Sequence, residues 1–300
     1  AETENWEIAE RALLSAVSAS GERAVIVSSL PETLPARVRD RLKRVGIAPM
    51  QGIEDCLFAI RAAAFIGRSQ VNADKVLPVM AAVDSADSGG PAAALDEWDS
   101  KMELARHGLN VPEGRVCKAA DVLDSADALG FPLVLKAVCS ELAHKSEAGA
   151  VAINLNSRDA VADALRTMSD RYDRFLVEKM VGFAVVELIV GVSRDESFGL
   201  SLLVGAGGTL VELLDDAVSI LLPAQRLEID AAIASLRVNK LIAGFRGQIA
   251  GDRQALLDAV EAIAAYAVEH KNTLLELDVN PLLVLPTGAI AVDAYIRKQE

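Results

Sequence analysis

The sequence has no long apolar run. Stretches such as Ala62-Ala-Ala-Phe-Ile66 are far too short to cross a bilayer as a helix. Cysteine is scarce: Cys56, Cys117 and Cys139 lie far apart with no CxxC pair, which argues against a disulfide frame or a cysteine-rich zinc module and for reduced thiols. Aromatic residues make up only 4% of the chain, and there are three histidines, His107, His144 and His270. Positive charge is in deficit. A net charge of −13 opposes non-specific nucleic-acid binding, which relies on neutralising phosphates with Lys and Arg. Any phosphate handling must therefore be local. Neither GxGxxG nor GxxxxGK[ST] occurs. No leader-like segment opens the sequence, so a cytoplasmic protein without membrane contact is the expectation.

What is present suits packed domains. The 300 residues are 52% hydrophobic, with a mean hydropathy of +0.29, enough for two domains with sizeable cores. Residues 6–19 carry apolar positions at helical spacing, and Ala24-Val-Ile-Val-Ser28 reads as a short buried strand. A helix with Val38, Leu42 and Val45 on one face and Gly46 as C-cap follows, then a strand at Ile47–Met50 and a helix over 53–66. This βαβα order predicts a piece of a parallel doubly wound sheet. Two such strands are too few to stand alone, so extensive contacts, an oligomer, or further sequence are expected. An Ala/Asp/Ser stretch with a Gly89-Gly-Pro91 break reads as a linker over 68–93. The second domain opens with a helix carrying Leu95, Trp98, Met102 and Ala105. Closely spaced strands at 114–117, 132–138, 151–155, 175–180, 185–193 and 199–204 and helices at 121–129, 157–172, 227–236 and 252–269 predict an antiparallel-rich α+β domain.

Chemistry concentrates in a few places. Leu274-Leu-Glu-Leu-Asp-Val-Asn-Pro281, a Pro286-Thr-Gly288 turn and Ala291-Val-Asp-Ala294 read as paired strands. Alternation puts Glu276, Asp278 and Asn280 on one side, with Asp293 on the returning strand. Hard oxygen ligands on a rigid hairpin suit Mg²⁺ shared with substrate phosphates; a polar surface hairpin is the alternative. Lys136 interrupts an apolar strand, and a buried lysine is costly unless it is paired or meets an anion; a snorkelling lysine on an edge strand is the alternative. His144-Lys-Ser-Glu-Ala-Gly149 is a polar loop whose amides, Lys145 and Gly149 could enclose phosphates. Glu178 and Glu187 also interrupt apolar strands, as acceptors for a nucleotide's adenine and ribose or as salt bridges to Arg174 or Lys179. Gly205-Ala-Gly-Gly208 reads as a hairpin turn or a bare-backbone approach to phosphate. Arg246 sits between Gly244 and Gly247, where a guanidinium can fork onto phosphate or carboxylate.

Taken in order, these elements resemble an ATP-grasp domain. Leu135-Lys136, His144-Lys-Ser146, Val186-Glu-Leu-Ile-Val-Gly191, Phe198-Gly199, Gly207-Gly208 with Val211-Glu212, Gly244-Phe-Arg-Gly247, Glu276-Leu-Asp-Val-Asn-Pro281 and Val292-Asp-Ala294 are similar to the NDP-forming acyl-CoA synthetases, relatives of succinyl-CoA synthetase. The likeness covers 94–300. Val25-Ile-Val-Ser-Ser-Leu-Pro-Glu32 and Gly46-Ile-Ala-Pro-Met-Gln-Gly52 resemble the end of the CoA-ligase domain in single-chain members. The expected fold class is α/β: an α+β ATP-grasp domain (94–300) preceded by a partial flavodoxin-like parallel segment (1–67).

The resemblance implies a reversible reaction of a carboxylic acid, CoA and ATP to acyl-CoA, ADP and phosphate through phosphohistidine. It implies that Lys136 holds ATP phosphates beneath the 144–150 loop with Lys145, Ser146 and Gly149. Glu178 and the backbone through Met180 would sit at the adenine, Glu187 near the ribose, and Asp278, Asn280 and Asp293 on Mg²⁺, with Glu276 behind them. His144 matches a second phosphoryl acceptor of some members. CoA and the main phosphohistidine would come from domains upstream or in a partner subunit, making this chain the nucleotide half of a longer enzyme. One departure is Gly149-Ala150-Val151, where the family has a second glycine; the methyl is harmless if φ is negative there and otherwise crowds a phosphate. Competing readings are a regulatory module of a protein acetyltransferase and an ATP-grasp carboxylate–amine ligase. His107 and His270, at helix ends, are assigned no role.

Overall fold

The computed structural model describes residues 2–71, 91–138, 149–208 and 216–299. It divides into two compact units, residues 1–76 and 77–300. In the first, α1 (Glu2–Ser20), β1 (Val25–Ser28), α2 (Ala36–Arg44), β2 (Ala48–Gln51) and α3 (Ile53–Val71) follow in order. β1 and β2 pair in parallel, Val25 opposite Ala48, as the βαβ order requires. The core is thin: Leu34, Val38, Leu42 and Ile47, with Leu13, Leu14, Val17 and Ile26 against them. Val45 does not join it. The helix ends at Arg44, Val45 is the C-cap, and its side chain is exposed while Gly46 takes a left-handed φ of +78°. Leu57, Phe58, Phe65 and Ile66 on α3 are also exposed.

The second unit holds two antiparallel sheets. The smaller has β4 (Gly114–Lys118), β5 (Leu133–Ala137), β6 (Val151–Leu155) and β7 (Arg174–Lys179) in the order β4-β7-β5-β6. One face packs on α5 (Val122–Leu129) and α6 (Arg158–Met168) through Val122, Leu133, Leu135, Val161 and Phe175. Ser157 caps α6 as its sequence indicates, accepting a hydrogen bond from the Ala160 amide.

The larger sheet runs β10-β9-β8-β11-β13-β3, with β12 attached to β11. Its strands are β3 (Ala92–Ala94), β8 (Val186–Asp195), β9 (Gly199–Ala206), β10 (Ala217–Leu221), β11 (Leu274–Val284), β12 (Ala289–Ala291) and β13 (Ala294–Gln299). Leu188, Val190, Val204, Leu277 and Val279 pack with α7 (Arg226–Ser235) and α9 (Arg253–Glu269), whose buried side includes Leu256, Val260 and Ile263. Alternation leaves the opposite sides of β8 and β11 uncovered, where Glu187, Glu276 and Asn280 are exposed and Asp278 is half-buried.

Several elements depart from the sequence reading. α3 runs on to Val71, and Ala92–Ala94, whose first two residues were expected in a linker, pairs with β13. β10 and a one-turn helix, α8 (Asn239–Ile242), lie where no element was expected. α4 (Glu97–Arg106) begins at an Asp96 cap, and its buried positions are Glu97, Ser100, Lys101 and Leu104. The face expected from Leu95, Trp98, Met102 and Ala105 is not the buried one, because α4 is turned so that two charged residues face inward.

Candidate functional site

β5 is buried throughout, and its alternation decides where Lys136 points. Leu133, Leu135 and Ala137 face the α5–α6 core; Lys136 faces the other way. On β7, Glu178 lies opposite Val134 and Leu176 opposite Lys136, so Lys136 and Glu178 are diagonal neighbours on one face. Gly114 of β4 pairs with Glu178, and a Cβ there would lie 2.7 Å from the Glu178 Cγ; glycine is what lets the glutamate lie flat across β4.

The two sheets meet at this face. Lys136 Nζ lies 2.5 Å from Glu97 Oε1, 3.1 Å from Glu178 Oε2 and 2.6 Å from the carbonyl oxygen of Val292. Lys101, fully buried, donates to Glu97 Oε1 at 2.9 Å, to Glu178 Oε1, and to the Val292 carbonyl at 3.3 Å. Two lysines and two glutamates thus balance one another out of water, each ammonium donating to several oxygens, as burial of charge requires. Burial by itself lowers the Lys136 pKa, but the carboxylates of Glu97, Glu178 and Asp293 outweigh it and push it well above the ordinary lysine value.

The hairpin supplies the other half. β11 pairs with β12 from Leu282 to Val284 and with β13 from Leu274 to Val279, so Asp293 stands in the break between the two returning strands. Pairing with β8 slips between Val279 and Leu282, bulging Asn280 and Pro281 out of the ladder. The Val292 amide donates to the Pro281 carbonyl at 3.2 Å. Val292, whose carbonyl receives the two lysines, is therefore pinned through its own amide to the bulge carrying Asn280, and Asp293 is the next residue. Asp278 faces Gly191 across the ladder, and its pKa is pushed up to about 6 by burial, then by the carboxylates of Asp293 and Glu276. Glu276 pairs with Arg297 at 3.2 Å, and Asp293 acts on both Lys136 and Asp278. The carboxylates of Asp278 and Asp293 beside an Asn side chain are a donor set of hard oxygens that could hold Mg²⁺.

The remaining residues are placed less centrally. Glu187 is exposed beside the glycine turn: Gly207 donates to its carbonyl at 2.8 Å, and a Cβ on Gly208 would lie 3.0 Å from its Oε2. Glu178 is engaged by Lys101 and Lys136; Lys179 pairs instead with Glu113 at 2.6 Å, and Arg174 with Asp96 at 3.7 Å. The amides of Lys179 and Met180 donate to Glu113 and Pro132 at 2.9 and 3.0 Å. Arg246 has a φ of +53° and stacks over Phe245 on an exposed loop; among the described residues no ion pair joins it to the cluster or hairpin. His144, Lys145 and Ser146 lie outside the described residues. Gly149 has a left-handed φ of +67°, whereas Ala150 has none and buries its methyl in the small-sheet core. The methyl in the departing loop position therefore points into the protein.

Glu97 and Lys101 were missed in the sequence. Their i,i+4 spacing behind the Asp96 cap was visible, but on a surface helix that pattern reads as solvated charge.

Comparison with known proteins places this geometry. The ATP-grasp domain family matches residues 87–297. The β subunit of an ADP-forming acetate–CoA ligase II from Pyrococcus furiosus is 27% identical over 214 residues, covering 68% of this chain and 91% of that subunit. A trans-feruloyl-CoA synthase from an unknown prokaryotic organism is 31% identical over 281 residues, covering 88% of this chain but 38% of that protein. That match is longer than the ATP-grasp segment and so reaches into the amino-terminal unit. Among solved structures, the dinucleotide-forming acetyl-coenzyme A synthetase 1 of Ca. Korarchaeum cryptofilum, in complex with coenzyme A and Mg-AMPPCP, has a TM-score of 0.62 and 32% identity, covering 68% of this chain and 92% of that one. Sequence and fold agree, and the chain belongs to the ATP-grasp domain family.

Proposed function

We propose that this chain is the nucleotide-binding, phosphoryl-transferring part of an NDP-forming acyl-CoA synthetase, which joins a carboxylic acid to CoA at the expense of ATP. The observation that carries the reading is the Val292 peptide, whose carbonyl receives Lys136 from the small sheet at 2.6 Å and whose neighbour Asp293 belongs to the hairpin. A phosphate-binding lysine and a metal-binding carboxylate are thereby held side by side across two sheets. The relative bound to Mg-AMPPCP supports the same use of this fold.

Lys136 is kept charged by Glu97, Glu178 and Asp293, so it meets the polyphosphate as a full cation. Glu97 and Lys101 act as positioning residues: they hold Lys136 and Glu178 in place and keep water out. Asp278, Asn280 and Asp293 would hold Mg²⁺, which when bound offsets charge on the β- and γ-phosphates. Lys145, Ser146 and Gly149 close over the phosphates. Glu187 faces the ribose, Glu178 and the Met180 backbone border the adenine, and Arg246 meets phosphate or carboxylate. His144 takes the γ-phosphoryl group as the bond to ADP breaks. CoA binding and acyl transfer fall to domains outside this chain, and residues 1–67 are read as the end of a flavodoxin-like CoA-ligase domain. The match to the trans-feruloyl-CoA synthase, which runs past the ATP-grasp segment, supports that assignment. The compartment consistent with this chemistry is the cytoplasm.

The test is incubation with γ-labelled ATP. Acid-labile label should appear on the wild type, fall in His144→Asn, and drop to background in Lys136→Ala. Continued ADP release from the complete enzyme, beyond the one ADP that accompanies each label, should require CoA. Label that is indifferent to both substitutions, or ADP release that depends on an amine instead of CoA, contradicts the reading.

A further inference from the structure

Away from the hairpin, the ends of α4 and α9 converge with their capping residues, His107 and His270. Among the described residues, His107, Glu269 and His270 form the one group in which three His, Cys, Asp or Glu ligand atoms all lie within 4.8 Å of one another. The two rings are prepared alike. His107 Nδ1 lies 3.1 Å from the Glu103 carbonyl oxygen, and His270 Nδ1 lies 3.0 Å from that of Tyr266, each one helical turn back. A carbonyl only accepts, so each Nδ1 carries the proton and donates it. On His270 that leaves Nε2 available to a metal, the arrangement of a metal-bound histidine anchored through its other nitrogen. His107 Nε2 lies 2.9 Å from Glu269 Oε2, a carboxylate that only accepts, so without metal His107 donates from both nitrogens. Burial lowers its pKa, but the hydrogen bonds and charges of Glu269 and Glu103 together outweigh this and raise it. A metal ion would take the place of the Nε2 proton.

The surroundings favour a cation. Two helix C-termini point their carbonyl ends here, and Glu103 and Glu269 add negative charge. Lys298 lies 3.8 Å from Glu103 and over the Tyr266 ring, which balances one of the two carboxylates. Tyr266 fixes the geometry: fully buried, it stacks on His270 with centroids 4.2 Å apart and meets His107 edge-on at 5.0 Å. Its hydroxyl is buried without a hydrogen-bond partner. Such rigid packing around imidazoles is what a metal site requires of its supporting shell.

We propose that His107, Glu269 and His270 bind a divalent transition metal of the Zn²⁺ type, joining the C-terminal ends of α4 and α9. Two imidazoles and a carboxylate, with water in the fourth position, suit Zn²⁺ and not Mg²⁺, which prefers oxygen. Bonds of about 2.1 Å to a tetrahedral ion place ligand atoms about 3.4 Å apart, a contraction that rotation of the exposed Glu269 side chain and a small approach of the two helix ends would supply. The site would staple the helix that carries Glu97 and Lys101 without touching them.

The experiment is calorimetric titration of Zn²⁺ into the protein in millimolar Mg²⁺, with melting curves alongside. One ion per chain should bind at micromolar concentration. Affinity should fall on the order of tenfold to a hundredfold in His107→Gln, His270→Gln and Glu269→Gln, and hundredfold excess over Kd should raise Tm by several degrees in the wild type alone. Glu269→Gln alters an exposed side chain, so it reports binding even if a histidine variant folds poorly. ATP-dependent labelling should be unchanged in all three. Absence of Zn²⁺ uptake, or uptake undiminished in Glu269→Gln and His270→Gln, overturns the proposal.

Discussion

Two groups of charge sit on either side of the Val292–Asp293 peptide, and in both a pKa is raised, with opposite meanings. In the buried cluster the rise at Lys136 means that its charge is wanted: two glutamates and Asp293 outweigh the cost of burial. On the hairpin the rise at Asp278 means that its charge is not wanted: burial, Asp293 and Glu276 all oppose it. One side gathers Lys101, Lys136, Glu97 and Glu178; on the other, Asp293 opposes the ionisation of Asp278 while it supports the charge of Lys136. In the proposed reading a cation at the hairpin would relieve the repulsion between these aspartates.

The largest expected effect is on the balanced side. Lys101→Met leaves Glu178 short of a partner in a fully buried site and should cost about 3–5 kcal/mol in chemical denaturation. Adding Glu178→Gln should recover part of that loss; if the double variant is as unstable as the sum, the cluster is not one unit. Gly114→Ala should cost about 1–3 kcal/mol through overpacking against Glu178, and a variant as stable as wild type would mean that β4 yields easily. On the hairpin side the sign reverses. The folded-state pKa of Asp278 lies above the ordinary carboxylate value, so the stability tied to its proton is present at about pH 4 and is lost as pH rises through about 6. Without metal at pH 7, Asp278→Asn should therefore stabilise the protein by on the order of 1 kcal/mol, allowing for solvent screening. The gain should vanish near pH 4, and Mg²⁺ should stabilise the wild type more than the variant.

Much of the hairpin was legible because β-strands alternate with a period of two and the turn residues mark the reversal. Glu276, Asp278 and Asn280 share a side for that reason, and Lys136 stood out as a charge in an apolar strand. What lies across the cleft was not legible. Glu97 and Lys101 face inward because of how α4 docks, and helical periodicity treats an i,i+4 Glu–Lys pair as surface. Glu178 was visible as an anomaly, but its partners Lys101 and Lys136 come from other elements. His107 and His270 had likewise each looked like an ordinary helix end; only the packing of α4 against α9 brings their rings to 5.9 Å. Local pattern showed which residues were unusual, and tertiary structure decided which of them meet.

The most direct test of the hairpin as the metal-binding side of the proposed nucleotide site is calorimetric titration of ATP at varied Mg²⁺ in wild type and Asp293→Ala. ATP affinity in the wild type should rise with Mg²⁺, and that dependence should collapse in the variant while its fold, read by circular dichroism, is retained. An ATP affinity and Mg²⁺ dependence unchanged in Asp293→Ala would contradict the account.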